Sequence, residues 1–196
     1  GPSGMEAARL LAMRGHLVEI WEKDKDIGGT VRVAALAYEP NGHLINYLKN
    51  SLSELGVKIK MNALGTPETI KVFNPDHVVV AVGANRDAPS IKGKDSKNVF
   101  DGEELRGLLF GSNIDAMKKL SFVQQLILSI GRASQLLRNI NALRFLSKLW
   151  MPLSKDIIII GGDLVGLELA EFLVERGRKV KVLEPTGSLG PNLSIV

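Results

Sequence analysis

The chain has 196 residues, 45% of them apolar, with 20 glycines, few aromatics, no cysteine and a formal net charge of +4. That length and apolar share can bury one or two cores, and the glycine-rich, aromatic-poor mix suits an α/β protein with tight turns. The missing cysteine excludes disulfides, thiolate metal sites, iron–sulfur ligation and redox-active cysteine pairs within this chain. The mild charge does not argue for nucleic acid, no apolar run is long enough to span a bilayer, and no signal peptide is evident, so a cytoplasmic location fits.

The first stretch, "GPSGMEAARLLAMRG", predicts a helix that starts at Pro2 or Ser3 and is stopped by Gly15. Ala7, Ala8, Leu10 and Leu11 are expected toward one face. A strand, "LVEIWE", follows and ends at Glu22. Gly28 and Gly29 then permit a close backbone turn. The stretch "HLINYLKNSLSEL" reads as an amphipathic helix capped by Gly56, with Leu44, Tyr47 or Leu48, Leu52 and Leu55 on its apolar stripe. "VKIKMN" reads as a strand. "DHVVVAVGANRDAP" gives a buried strand from Val78 to Val82 that ends at Gly83 before a polar turn and Pro89.

Residues 107–152 differ in character. Apolar residues recur at helical spacing, and Lys118, Lys119, Arg132, Arg138, Arg144 and Lys148 stand against the single acid Asp115. Two or three short helices are expected. The plain reading is a helical insertion with a solvated basic face; a docking surface, a lid or a membrane-surface helix are the functional versions. The cations are spread out rather than clustered, which disfavours the membrane version. After it, "DIIIIGG" (156–162) reads as a fully buried parallel strand, then a helix, then the strand "KVKVLE" ending at Glu184.

The two ends of the chain repeat each other at a constant offset of 162 residues without a gap. Gly4, Glu6, Ala8, Leu11, Arg14, Gly15, Val18, Glu22 and Gly28 fall on Gly166, Glu168, Ala170, Leu173, Arg176, Gly177, Val180, Glu184 and Gly190. Each copy is a glycine turn, a helix, a glycine stop and a strand ending in a carboxylate. The free N–H groups and positive dipole end of such a helix suit a pyrophosphate. The last glycine of the turn (Gly4, Gly166) lets helix and strand approach, and the terminal acid can accept hydrogen bonds from ribose hydroxyls. The plain alternative is a βαβ unit with a surface glutamate and no ligand. The second copy carries its leading strand; the first would need one upstream, with Gly1 as the middle glycine of G-x-G-x-x-G. The chain is therefore expected to be a piece of a longer polypeptide.

Taken in order, "GPSGMEAARLLAMRGHLVEIWEKDKDIGG", "GGTVRVAA" with its following helix, "DHVVVAVGANRDAP" and "IIIIGGDLVGLELAEFLVERG" resemble one known group. They are similar to the C-terminal region of the 2,4-dienoyl-CoA reductase, trimethylamine dehydrogenase and 2-enoate reductase family. These are relatives of old yellow enzyme with an added two-dinucleotide module. The resemblance covers nearly all of the chain outside the helical insertion. It implies two Rossmann-like dinucleotide-binding units with parallel sheets, truncated at both ends. The expected division is an FAD-binding domain over 1–106, a helical insertion over 107–152 and the start of an NAD(H)-binding domain over 153–196.

The resemblance also implies a function. The module would bind FAD and NADH, pass hydride from NADH to FAD, and send electrons to an N-terminal barrel of the same polypeptide. FMN and a 4Fe–4S cluster would belong to that barrel, as would the substrate site for an activated C=C bond. By the same carry-over, Gly1, Ser3 and Gly4 would approach the FAD pyrophosphate, Glu22 would hold the adenosine ribose, and Lys23 would lie beside it. Gly28, Gly29 and Arg32 would line the region between pyrophosphate and flavin, with Ala81 and Gly83 near the same cleft. Gly161, Gly162 and Gly166 would meet the nicotinamide dinucleotide, and Glu184 would take its ribose. An acid there, followed by Pro185 and Thr186 with no arginine, favours NADH over NADPH.

One position departs from the pattern: Asp163 stands where a glycine is wanted. Its carboxylate caps a helix well, but it has the place and sign of a phosphate. No residue is assigned a catalytic role and none a metal; His16, His43 and His77 are scattered and read as structural or surface residues. Two alternatives stay open: a free-standing NADH oxidase or ferredoxin-reductase-like flavoprotein, and a non-catalytic nucleotide-binding scaffold. A homo-oligomer is also open.

Overall fold

The computed structural model describes residues 1–84, 90–110, 114–134, 139–191 and 193. Its chain divides into two compact units, Gly1–Lys119 and Leu120–Val196.

In the first unit, helix α1 (Pro2–Met13) has Gly1 as N-cap and Pro2 in its first turn, where a missing N–H costs nothing. Gly15 follows at φ +87°. Strand β1 (Glu19–Glu22) comes next, then α2 (Val31–Ala37), α3 (Pro40–Glu54) and β2 (Lys58–Met61). The two strands pair in parallel, Glu19 opposite Lys58 through Glu22 opposite Met61. Beneath them lies a core of Met5, Ala8, Ile27, Leu48 and Leu52, with Val18, Ile20, Val57 and Ile59 packed against it. Packing corrects two expected helix faces. Ala8 is buried as expected, but Leu10 is exposed and Met5 is buried in its place. On α3 the buried stripe is Ile45, Leu48 and Leu52, while Leu44, Tyr47 and Leu55 are exposed. Both stripes have helical spacing; which one faces inward depends on where α1 and α3 meet.

Helix α4 (Pro67–Phe73) was not anticipated from the apolar pattern. A reciprocal cap starts it, Thr66 and Thr69 each bonding the other's backbone N–H, and Asn74 ends it at φ +51°. The predicted buried strand at Val78–Val82 does not form. Val78, Val79, Val80 and Val82 are 51–88% exposed, and the segment belongs to neither sheet. A buried parallel strand needs a hydrogen-bonded neighbour on each side, and among the described residues β1 pairs with β2 alone. Pro89, predicted to follow that strand, lies outside the described residues. Helices α5 (Gly102–Phe110) and α6 (Ile114–Lys118) complete the unit and pack on each other.

The second unit holds α7 (Phe122–Ala133), α8 (Ile140–Leu149), β3 (Asp156–Ile160), α9 (Leu164–Val174) and β4 (Lys179–Leu183). Strands β3 and β4 are parallel, Asp156 opposite Lys179 through Ile160 opposite Leu183. β3 is not fully buried as expected: Ile159 is inside, but Ile158 and Ile160 are 63% and 60% exposed. A sheet of two strands with α9 on one face leaves alternate residues on the other face open. Arg176, just past α9, is buried. It donates 2.8 Å hydrogen bonds to the Ser147 hydroxyl of α8 and to the Phe172 carbonyl, and its guanidinium stacks 3.5 Å from the centre of the Phe172 ring. That fixes α8 on α9, and burial pulls the guanidinium below the ordinary arginine value. Of the basic residues in the helical segment, Arg138 and the side chain of Arg132 lie outside what is described.

Candidate functional site

The two repeated stretches fold alike. In the first, Glu22 ends β1 and its Oε1 accepts the Asp24 backbone N–H at 3.1 Å. In the second, Glu184 follows β4 and its Oε1 accepts the Thr186 backbone N–H at 3.0 Å. Asp24 and Thr186 are themselves 162 residues apart. Gly15 and Gly177 both have positive φ, +87° and +70°, and so do Gly28 and Gly190, +121° and +65°. The sequence repeat is thus a repeat of backbone conformation.

The first unit brings most of its predicted residues together. The Gly1 nitrogen lies 3.5 Å from Glu22 Oε2. Gly29 sits at φ +55°, and a Cβ there would come within 2.8 Å of the Gly1 Cα. The turn before α1 and the Gly28–Gly29 turn therefore touch, leaving a backbone-lined slot that a side chain would fill. Gly28 leans on Arg32, where an added Cβ would meet Cγ at 3.0 Å. Arg32 is buried, pairs with Asp26 at 3.4 Å and lies 4.7 Å from the Phe110 ring. Gly4 faces Ala81: a Cβ on the glycine would sit 3.2 Å from the Ala81 Cβ. Ser3 is exposed in the first turn of α1. Gly83 stands apart; its φ of +81° requires glycine, but nothing lies within 4 Å of where its Cβ would be. Beside Glu22 opens a cleft of about 280 Å³ lined by Lys23, Asp24, Gly29, Arg32, Asn62 and Arg106, among others. Asn62 and Arg106 carry no sequence signal for this place. Arg106 is 82 residues from Asp24, which it meets at 3.1 Å.

In the second unit the glycine turn is drawn tight. Gly161 has φ +107°, and a Cβ on Gly166 would lie 2.0 Å from the Gly161 carbonyl oxygen. Helix α9 approaches β3 as closely as only glycine allows. Asp163 is the N-cap of α9 and accepts the Leu164 N–H at 2.9 Å. Gly162 donates its N–H to Glu184 Oε2 at 2.7 Å, and the Thr186 hydroxyl donates to Oε1 at 2.8 Å. These three donors, the Gly162 N–H first, hold the Glu184 carboxyl below the ordinary carboxylate range. A groove of about 290 Å³ runs along Val182, Glu184, Gly187, Ser188 and Leu189. The ionised acid at the strand end and the open groove beside it suit a ribose diol.

His16, His43 and His77 are exposed and dispersed. Among the described residues, no helix is long and apolar enough to cross a membrane.

Known proteins resemble this chain over nearly its whole length. It is 31% identical over 186 residues to the bilirubin reductase of Mediterraneibacter gnavus, covering 94% of this chain and 23% of that protein. It is 29% identical over 188 residues to the NADH oxidase of Thermoanaerobacter brockii, with 94% and 23% coverage. A cinnamate reductase of Clostridium sporogenes is 28% identical over 186 residues, with 94% and 22% coverage. The solved structure of a 2-naphthoyl-CoA reductase in complex with 2-naphthoyl-CoA superposes with a TM-score of 0.71 at 29% identity, over all of this chain and 24% of that one. The chain thus spans under a quarter of the length of these relatives. The profile of one family, which implies FAD and NAD(P)H binding, matches residues 1–194. The chain belongs to the pyridine nucleotide-disulphide oxidoreductase family of redox enzymes.

Proposed function

We propose that this chain is the FAD- and NADH-binding, electron-input module of a larger reductase related to the enoate and dienoyl-CoA reductases. Bound FAD would take hydride from NADH and pass electrons on to an FMN and iron–sulfur barrel of the same polypeptide, which this chain does not contain. The observation that carries this reading is the repeated unit: two glycine turns, each opening a helix and each faced by an acid 18 residues after its last glycine, Glu22 after Gly4 and Glu184 after Gly166. The large relatives named as reductases support it.

In the first unit the N–H groups of Ser3 and Gly4 would face the pyrophosphate, with Gly1 and Gly29 giving it backbone-lined room. Glu22 would hold the adenosine ribose, and Lys23 and Arg32 would supply positive charge. In the second unit Glu184 would take the ribose of the nicotinamide dinucleotide. No arginine neighbours Glu184 in sequence to accept a 2′-phosphate, which favours NADH. The proposed Rossmann-like domains are 1–106 for FAD and 153–196 for the start of the NAD(H) domain, with 107–152 as a helical insertion, bounds that differ from the two compact units.

A second reading, a scaffold whose second site delivers no hydride, has one observation in its favour. Glu184 already takes the Gly162 N–H, and Asp163 sets another carboxylate beside it. The visible spectrum of the parent polypeptide, before and after anaerobic NADH, separates the readings. A flavin spectrum that NADH bleaches is the expected result. A flavin spectrum that NADH leaves intact favours the scaffold reading of the second unit. A protein without flavin refutes the proposal.

A further inference from the structure

We propose that Arg106 is a cofactor-positioning residue that closes the far wall of the first dinucleotide cleft and turns from Asp24 to the diphosphate when the cofactor binds. The proposal rests on the first unit being the FAD site. No sequence motif points to Arg106, and none of the roles assigned above includes it.

Helix α5 carries Arg106 and Phe110 four residues apart, hence on one face. That face is turned to the cleft. Arg106 reaches Asp24 at 3.1 Å, and Phe110 lies under the Arg32 guanidinium at 4.7 Å. The helix is held in this pose from its other end. Asp101 and Glu104 cap it reciprocally, with the Glu104 N–H on Asp101 at 2.7 Å and the Asp101 N–H on Glu104 at 3.1 Å. Lys119 then joins Glu104 at 2.6 Å and donates to the Val99 carbonyl at 2.7 Å. So α5 is braced at its N-terminal end, and the Arg106 side chain, 21% exposed, reaches from it into the cleft.

Charge says what the wall faces. The cleft is lined by four cations, Lys23, Lys25, Arg32 and Arg106, and by two carboxylates, Asp24 and Asp26. The lining is therefore net positive by two charges, which matches a diphosphate with one negative charge on each phosphate. Gly29, which also lines the cleft, nearly touches Gly1 at the start of α1. Through Gly29, the cleft that Arg106 lines borders the start of α1, where a diphosphate would lie. A guanidinium can bind carboxylate and phosphate in the same fork geometry, so exchanging Asp24 for phosphate needs only a side-chain rotation. Lysine at 106 would keep the charge and lose the fork.

The test uses the full chain and FAD, with binding read from quenching of flavin fluorescence. Arg106→Gln is expected to raise the Kd for FAD about tenfold or more, as for loss of one charge-assisted contact. Arg106→Lys should fall between it and the parent. Asp24→Asn frees Arg106 and should bind FAD as tightly as the parent or more tightly. Equal weakening by Arg106→Gln and Asp24→Asn would overturn the proposal, since the pair would then matter only as a brace. Parent-like FAD binding by Arg106→Gln would also overturn it. Failure of the parent chain to bind FAD would instead remove the reading on which the proposal stands.

Discussion

Gly4 and Gly166 hold the same place in the two repeats, and alanine should be tolerated at the first and destabilising at the second. A Cβ on Gly166 would lie 2.0 Å from the Gly161 carbonyl oxygen and 3.0 Å from its carbon. Reaching even a 3.0 Å approach to that oxygen needs a retreat of at least 1.0 Å, and the obstacle is backbone. Overpacking of this kind costs about 1–3 kcal/mol. Alanine recovers about 1 kcal/mol of helix propensity, but a backbone obstacle puts the clash at the upper end, for a net loss of about 2 kcal/mol. On Gly4 the nearest atom is the Ala81 Cβ at 3.2 Å, which needs only a few tenths of an ångström. There the propensity gain offsets the crowding, and the change should be neutral within about 0.5 kcal/mol or slightly stabilising. The chain has two tryptophans, Trp21 in the first unit and Trp150 in the second. Each unit can therefore be followed alone, with the other tryptophan replaced by phenylalanine. With a urea dependence of about 2 kcal/mol per molar, Gly166→Ala should lower the midpoint read at Trp150 by about 1 M. Gly4→Ala should leave the midpoint read at Trp21 in place. An unshifted midpoint for Gly166→Ala, or equal losses at both sites, would refute the close approach of α9 to β3.

Three further outcomes are expected. Ser147→Ala leaves the buried Arg176 Nε without its 2.8 Å partner and should cost about 1–3 kcal/mol in the Trp150-monitored transition. Because Glu184 is held below the ordinary carboxylate range, the unfolded chain binds its proton first as pH falls. Its contribution is therefore intact above about pH 4.3 and is lost as pH drops through the lower folded value. Glu184→Gln should flatten that part of the acid-stability curve measured at Trp150. Asp163→Gly removes a carboxylate from the start of α9 at the cost of the Leu164 cap and should tighten NADH binding about tenfold, on the order of 1.4 kcal/mol. Unchanged or weaker binding in a titration would mean that Asp163 does not compete with the phosphate.

Local chemistry was legible in the order of the residues. Helix α1 between Pro2 and Gly15, α3 ending before Gly56, β2 over "KIKM" and the acids at the ends of β1 and β4 all follow from glycine, proline and spacing alone. The offset of 162 exposed the repeat because both copies need left-handed glycine after the helix and an acid at the strand end. Helix α4 was equally local, in the pair Thr66 and Thr69, but an exposed helix leaves no apolar stripe to reveal it.

Tertiary structure alone decided the rest. "VVVAV" has the composition of a buried strand, yet burial depends on partners that the segment does not itself specify, and here it is exposed. The inward face of α3 was set by α1 and β1, which is why Ile45 replaced Leu44. The meeting of Asp24 with Arg106, of Ser147 with Arg176, and of Gly1 with Gly29 spans 82, 29 and 28 residues of chain. Spacing rules act within a few residues, through the pitch of a helix or the pleat of a strand. Which distant elements close a cleft is settled only by how their apolar faces pack.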